Sequence, residues 1–283
     1  MQNQKWQCRV APSLGALEGE HQDVWNTDEY MNDRSPTVFF GLYGLPDFYT
    51  LWRHKGQKAI LWAGSDITHF QNGYHLTDSG DIRIHSEPLA QWINENCDNW
   101  VENKVEFNAL LDMGIQSKVI PSFMGNVDDY EISYVHQARP SVYLSANEDR
   151  EIEYGWGIIE EIADKCNVDF HLYGSDKWET LHSNVFIHGR IPKEQMNEEI
   201  KRMQCGLRLN EHMDGFSEIT AKSILWGQYP IVWRGYGYAG IDSFRNKEAL
   251  RIKLNQLVKY TVPNKEREYY RQVLNKYPWN EKI

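Results

Sequence analysis

The residues best equipped for chemistry crowd into one segment, from Arg208 to Val232. Arg208, His212, Asp214, Gly215, Phe216, Ser217, Glu218 and Lys222 come in quick succession, followed by Gly227-Gln-Tyr-Pro230 and Ile231-Val232-Trp233. The pattern predicts a strand over 205–209, an acidic-polar turn with a glycine, a helix over 218–225, and a further strand over 229–233. A glycine at the head of a helix permits close backbone approach. The amides of Gly215, Phe216 and Ser217, with the helix dipole behind them, would make an anion site suited to a phosphate. A guanidinium such as Arg208 can pair two phosphate oxygens at once. Glu218 and Lys222 stand four apart on the predicted helix, which fits either an ordinary ion pair or a shared ligand. Asp214 can equally cap the helix, and Trp156, Trp226 and Trp233 read as core.

The elements that must hold this segment alternate. In the first half, strands are expected near 6–11, 37–42, 58–63, 100–103 and 118–123, with helices near 47–54, 89–96 and 105–113. The stretch 124–140 breaks the rhythm. Strands are then expected at 141–145, 168–173 and 185–188, with helices at 154–166 and 193–203, and two more helices near 247–260 and 265–277. Strand-helix alternation predicts parallel sheets with crossover helices. The expected architecture is α/β, two Rossmann-like domains facing a cleft where ligands bind. Its boundaries fall at 1–138, 139–268 and a closing helix at 269–283.

The segment from Asp214 resembles the nucleotide-sugar signature of retaining glycosyltransferases of the GT-B fold, especially family 4. That signature is Glu-Gly-Phe-Gly, a second Glu on the helix that follows, then a Gly-x-Pro turn into a Val/Ile strand. Further stretches resemble the family in its own order. Trp62-Ala-Gly-Ser-Asp66-Ile67 is similar to the glycine-rich turn of the acceptor half, and Trp100-Val-Glu through Leu111-Asp-Met-Gly114 and Val119-Ile-Pro121 to the end of that half. Val185-Phe-Ile-His188-Gly189-Arg190-Ile191-Pro192 is similar to the base-binding turn, and Tyr277-Pro-Trp279-Asn-Glu281 to the closing helix.

The resemblance implies a glycosyltransferase, a hexosyl- or pentosyltransferase moving a sugar from a nucleotide-diphosphate-sugar donor to a hydroxyl acceptor with retention. Asp214 would contact sugar hydroxyls, and the Gly215–Ser217 amides would hold the distal phosphate. Arg190 and Ile191 would meet the base through backbone groups. Arg208 and His212 are not part of the family's motif, but they flank it and are candidates in their own right for contacts near the diphosphate. Gly44 would let the first half's loop approach the donor, and Asp66 would bind acceptor hydroxyls, although an aspartate after Gly-Ser is also ordinary turn chemistry. Two positions depart from the family. Lys222 stands where the ribose-binding Glu belongs, and an ammonium only donates, so Glu218 one turn earlier is the substitute acceptor. The Arg and Lys expected after the first strand of the donor half are absent from Ala146-Asn147-Glu148-Asp149-Arg150, with Arg150 as a stand-in for one of them. No Asp-x-Asp motif occurs, so the enzyme is expected to be metal-independent, with the donor as substrate and no cofactor.

Composition narrows the field. The chain has 41% hydrophobic and 25% charged residues, a globular balance. A formal net charge of -10 disfavours a tightly held nucleic acid. It therefore counts against a viral-type transferase acting on a hydroxymethylated DNA base, one alternative. Others are an inactive nucleotide-sugar-binding protein of the same fold and a nucleotide-sugar epimerase. Four dispersed cysteines without a CxxC pair suit a reducing cytoplasm. The start, MQNQKWQCRV, has no apolar stretch, so no secretory leader is expected. No apolar run approaches the ~20 residues of a spanning helix.

Overall fold

Thr37–Phe40 and Ser141–Ser145 carry apolar side chains on both faces, as strands covered on both sides by helices must. Each starts the interior of a parallel sheet. The computed structural model describes residues 5–17, 19–75, 83–210 and 214–280. These fall into two compact units.

The first unit comprises the described residues of Met1–Asn126, Met213–Phe216 and Val273–Ile283. Its elements are β1 Gln7–Val10, α1 Glu20–Trp25, β2 Asp28–Glu29, β3 Thr37–Phe40, α2 Leu45–Arg53, β4 Lys58–Leu61, α3 Ser65–Gln71, β5 Tyr74–His75, β6 Arg83–Ile84, α4 Ser86–Asn96, β7 Asp98–Val101, α5 Lys104–Asp112 and β8 Lys118–Val119. The sheet runs β2-β1-β3-β4-β7-β8, with every pairing parallel. One face packs Phe39, Ile60, Trp62 and Val101 against the helices. On the other, Trp25, Phe40 and Trp100 meet Tyr277 and Trp279, whose rings stack at 4.6 Å.

The second unit holds β9 Ser141–Ser145, α6 Trp156–Ile162, β10 Asp169–Tyr173, β11 Val185–Gly189, α7 Lys193–Ile200, β12 Cys205–Arg208, α8 Glu218–Leu225, β13 Ile231–Trp233, β14 Asp242–Phe244, α9 Lys247–Gln256 and, up to Gln272, α10 Arg267–Val273. Its sheet runs β11-β10-β9-β12-β13-β14, again all parallel. This is the doubly wound order in which the chain reverses direction across the sheet between its first and fourth strands, here β9 and β12. The core is filled by Trp156, Phe170, Leu172, Leu207 and Leu254. Trp226 is also buried and Trp233 packs on the core, as expected of all three tryptophans. The stretch after Val127 belongs to this unit because it is tied there. Ser133 and Tyr134 donate their amides to Trp226 O, and the Tyr130 ring lies 5.2 Å from that of Trp226.

The fold is thus α/β with two Rossmann-like domains, as the alternation predicts. The elements α1, α3 and β14 were not anticipated. α3 begins directly after Gly64, whose φ of 84° ends β4's extension, and what reads as a strand-stopping Gly-Ser-Asp is the first turn of a helix. The strand expected over 118–123 is only Lys118–Val119, since Pro121 has no amide to give a ladder.

Candidate functional site

In the second unit the carboxyl ends of β9, β10 and β11 open into a cavity of about 680 Å³. That is within the ~300–1,000 Å³ usual for small-molecule sites, and it lies where ligands of open α/β sheets bind. Its floor comes from Ser145–Glu148 after β9 and from Tyr173 and Gly174 at the end of β10. Gly174 has φ of 101°, and a Cβ there would sit 2.0 Å from Ala146 O, so only glycine lets the two strand ends meet this closely. The Arg190-Ile191-Pro192 turn after β11 forms one wall, with Lys193 and Met196 of α7. Glu218, Ile219 and Lys222 of α8 form the other.

Charge on that wall is organised around Glu218. Its Oε1 is 3.0 Å from Lys222 Nζ and 3.2 Å from Lys193 Nζ. Lys222 Nζ also donates to Asn197 Oδ1 at 2.9 Å. The Lys222 side chain is only 7% exposed whereas that of Glu218 is 45% exposed. The carboxylate is therefore the accessible member, and the ammonium behind it is the buried one. Burial pushes the Glu218 carboxyl up, but Lys222 and Lys193 outweigh it and hold the group below the usual glutamate value. Burial lowers Lys222, against the attraction of Glu218. Helix α8 is set by its cap: Ser217 Oγ accepts the Thr220 amide at 3.2 Å.

Of the residues singled out in the sequence, Arg190, Ile191, Glu218 and Lys222 meet in this cavity. Lys193 was missed, and so were Asn147 and Glu148 as lining residues. Arg208, at the end of β12, and Arg150 do not line it. Both lie over the ring of Tyr154, with Cζ at 4.6 Å and 5.3 Å from its centroid, and Arg150 also pairs with Glu153. Ser217 caps α8 and lies outside the lining.

Other candidates belong to the first unit. Asp214, Gly215 and Phe216 form a short turn held by Glu102 and Asn103. The Phe216 amide, expected to face a phosphate, donates to Glu102 Oε2, and the Asp214 carbonyl accepts from Asn103 Nδ2 at 2.7 Å. Asp66, expected to meet acceptor hydroxyls, is fully buried. Its Oδ2 accepts the Leu42 amide at 2.9 Å and its Oδ1 the Ala63 amide at 3.0 Å, so it ties the loops after β3 and β4 together. Burial raises its carboxyl to about 7, against those backbone bonds. Gly44 precedes α2 in extended conformation, and a Cβ there would make only ordinary contact with Pro46. His212 lies outside the described residues, as does Glu281.

No protein-family model matches the chain, and no curated protein matches it. Solved structures do. A glycosyltransferase from Rickettsia africae superposes with a TM-score of 0.61 at 10% identity, over 95% of this chain and 92% of that one. HepE from Anabaena, solved in complex with UDP and glucose, gives 0.57 at 11% identity, over 95% of both chains. TarM from S. aureus, solved with UDP among its ligands, gives 0.60 at 14% identity over 88% of this chain. The present chain spans about half of TarM's length, 54%. At these identities the likeness establishes the fold: two Rossmann-like domains of the GT-B type. Among the described residues, no helix is long and apolar enough to cross a membrane.

Proposed function

We propose that the chain is a nucleotide-sugar-dependent glycosyltransferase, and that the second unit's cavity receives the nucleoside part of the donor. The observation that carries this is the position and lining of the cavity. It opens beyond the carboxyl ends of β9–β11 and brings together the Arg190–Ile191 turn and the exposed carboxylate of Glu218. The turn supplies backbone groups for a base. Glu218 supplies the acceptor for ribose hydroxyls that Lys222 cannot supply, and the two lysines keep it ionised. Arg208 at the end of β12 and Arg150 after β9, which lie over one ring, that of Tyr154, are assigned to the diphosphate. Asp214, four residues ahead of α8 in the chain, is assigned to the sugar hydroxyls. The bond between the anomeric carbon and the diphosphate breaks as the acceptor oxygen bonds to that carbon from the same face, with retention and without a metal, and the hydroxyl's proton passes to the departing diphosphate oxygen. The protein contributes positioning and stabilisation of the departing charge. The acceptor is a hydroxyl compound, a saccharide first of all, and the setting is the cytoplasm.

Lys222 itself favours one second reading, a protein that binds nucleotide sugars without turning them over. A thermal-shift screen with UDP, ADP, GDP and their glucose conjugates tests the shared part, because a ligand of the folded state raises the melting midpoint. Release of nucleotide from the conjugate that binds then separates enzyme from binder. If no nucleotide shifts the midpoint, both readings fall.

A further inference from the structure

Directly after β7 stand two consecutive buried polar residues, Glu102 and Asn103. Asn103 works at both ends of its amide. Its Oδ1 accepts the Glu106 amide at 3.1 Å and caps α5, while its Nδ2 donates to Asp214 O. Glu102 takes the Phe216 amide on Oε2 and the Ser122 hydroxyl on Oε1, and its own amide donates to Glu106 Oε2 at 2.7 Å. The acceptor and the donor that flank Gly215 are therefore both pinned by one dipeptide.

The slot that takes the turn is closed on two sides. A Cβ on Gly215 would lie 1.9 Å from Glu102 Oε2, and a Cβ on Gly64 would lie 2.9 Å from Asp214 Cα. Gly64, at φ of 84°, is required because the Asp214 backbone lies against it, and a Cβ on Gly215 would displace the Glu102 carboxyl from the Phe216 amide. A slot this tight, satisfied at both backbone groups, leaves the turn one conformation.

We infer that Glu102 and Asn103 are positioning residues, which fix the Asp214–Phe216 turn and through it the recognition of the donor's sugar. This rests on the proposed function, since only there is Asp214 given a sugar to hold. Neither side chain touches the ligand. Their role is to hold the Asp214 backbone at the spacing that sugar hydroxyls require, as a supporting shell does for a binding group.

The test separates the sugar from the nucleotide by titration calorimetry on the full chain with UDP and with UDP-glucose. Asn103→Ser keeps a cap for α5, because serine caps about as well as asparagine, but it cannot reach Asp214 O. It is expected to lower affinity for UDP-glucose about tenfold, the equivalent of one buried hydrogen bond, and to leave UDP affinity unchanged. Glu102→Ala is expected to do the same. Glu102→Gln should recover wild-type binding, because its carbonyl still accepts the Phe216 amide and its NH₂ can donate to Ser122 Oγ. Equal loss for UDP and UDP-glucose in Asn103→Ser, no loss for either, or a Gln variant as impaired as Ala would each overturn the inference. Wild-type protein that binds neither ligand would instead overturn the proposed function on which it rests.

Discussion

Replacing Glu218 by glutamine removes one charge from the cavity wall and almost no volume. In the wild-type protein the carboxylate has Lys222 Nζ at 3.0 Å and Lys193 Nζ at 3.2 Å on the same oxygen, Oε1, so Oε2 is the oxygen to offer a ribose. A hydrogen bond to a charged acceptor contributes about 1.5–3 kcal/mol. Glu218 is nearly half exposed and already counter-charged, which places it at the lower end, about 1.5 kcal/mol or roughly tenfold in affinity. Wild-type protein should accordingly bind UDP about tenfold more tightly than its 2′-deoxy counterpart. In Glu218→Gln the acceptor is neutral and no longer drawn to the lysines, and the ratio should fall to about two- to threefold, the contribution of a neutral hydrogen bond. Calorimetric titration of both nucleotides against both proteins reads this directly. A Glu218→Gln protein that keeps the full wild-type ratio would refute the assignment of the ribose to this carboxylate, while UDP binding itself stayed intact.

Lys222→Met leaves Asn197 Oδ1 without its ammonium donor and Glu218 with Lys193 alone. The second unit should lose about 1–2 kcal/mol, and UDP affinity should fall severalfold; calorimetric melting and titration check both, and unchanged stability would contradict the buried bond. Asp214→Ala should abolish release of nucleotide from the preferred sugar nucleotide while circular dichroism and the melting midpoint stay near wild type; full activity would remove Asp214 from the site. Burial raises the carboxyl of Asp66 to about 7 and those of the neighbouring pair Glu102 and Glu106, which repel each other, well above the usual glutamate value. The folded state then binds more protons than the unfolded one between about pH 4 and 8, and the slope of stability with pH is negative there, by about 1.4 kcal/mol per unit for each proton. The stabilising effect is full below the unfolded values and is lost as pH rises through the folded ones. The first unit should melt at a higher temperature at pH 6 than at pH 8.5, and Glu102→Gln should flatten the dependence; a midpoint that rises across this window would contradict the burial of these groups.

Most of the secondary structure could be read in the chain because its strands are buried on both faces. Val38-Phe39-Phe40 and Val142-Tyr143-Leu144 are unbroken apolar runs bounded by turns, and helix α8 keeps the expected bounds, 218–225. The site was legible in part. Glu218 and Lys222 stand out by chemistry and spacing, Arg190 and Ile191 only through the resemblance of their turn, and the parallel order of the second sheet brings all four to one cavity. Lys193 carried no such signal. It opens α7, and its approach to Glu218 follows from the packing of two helices that the β12 strand separates in the chain. Glu102 was hidden for a different reason. Glutamates are almost always exposed, and nothing in Trp100-Val101-Glu102-Asn103 announces that this one is buried to receive an amide more than a hundred positions away. Asp66 shows the turn chemistry that its Gly-Ser context also allows, but from a buried position. A Gly-Ser-Asp looks like an exposed turn, yet two backbone amides have drawn its carboxylate inside.

The exchange at Lys222 changes the electrostatics of the cavity without depriving it of an acceptor. The charged residues that line the cavity, Arg190, Lys193 and Lys222 against Glu148 and Glu218, leave it with one net positive charge, in a chain whose formal net charge is -10. At physiological salt, charges beyond ~8 Å are largely screened, so a ligand in the cavity responds to these five side chains far more than to the distant acidic surface. A glutamate at 222 would have put two carboxylates one helical turn apart on the wall, with Lys193 as their shared cation. The lysine reverses that balance in favour of an anionic ligand, and it does so from a buried position where desolvation strengthens its hold on Glu218. The carboxylate is then kept ionised and stationary at the cavity's edge. Those are the two properties that an acceptor of ribose hydroxyls requires, so the departure from the motif that this segment resembles is compatible with the proposed donor chemistry carried one helical turn earlier.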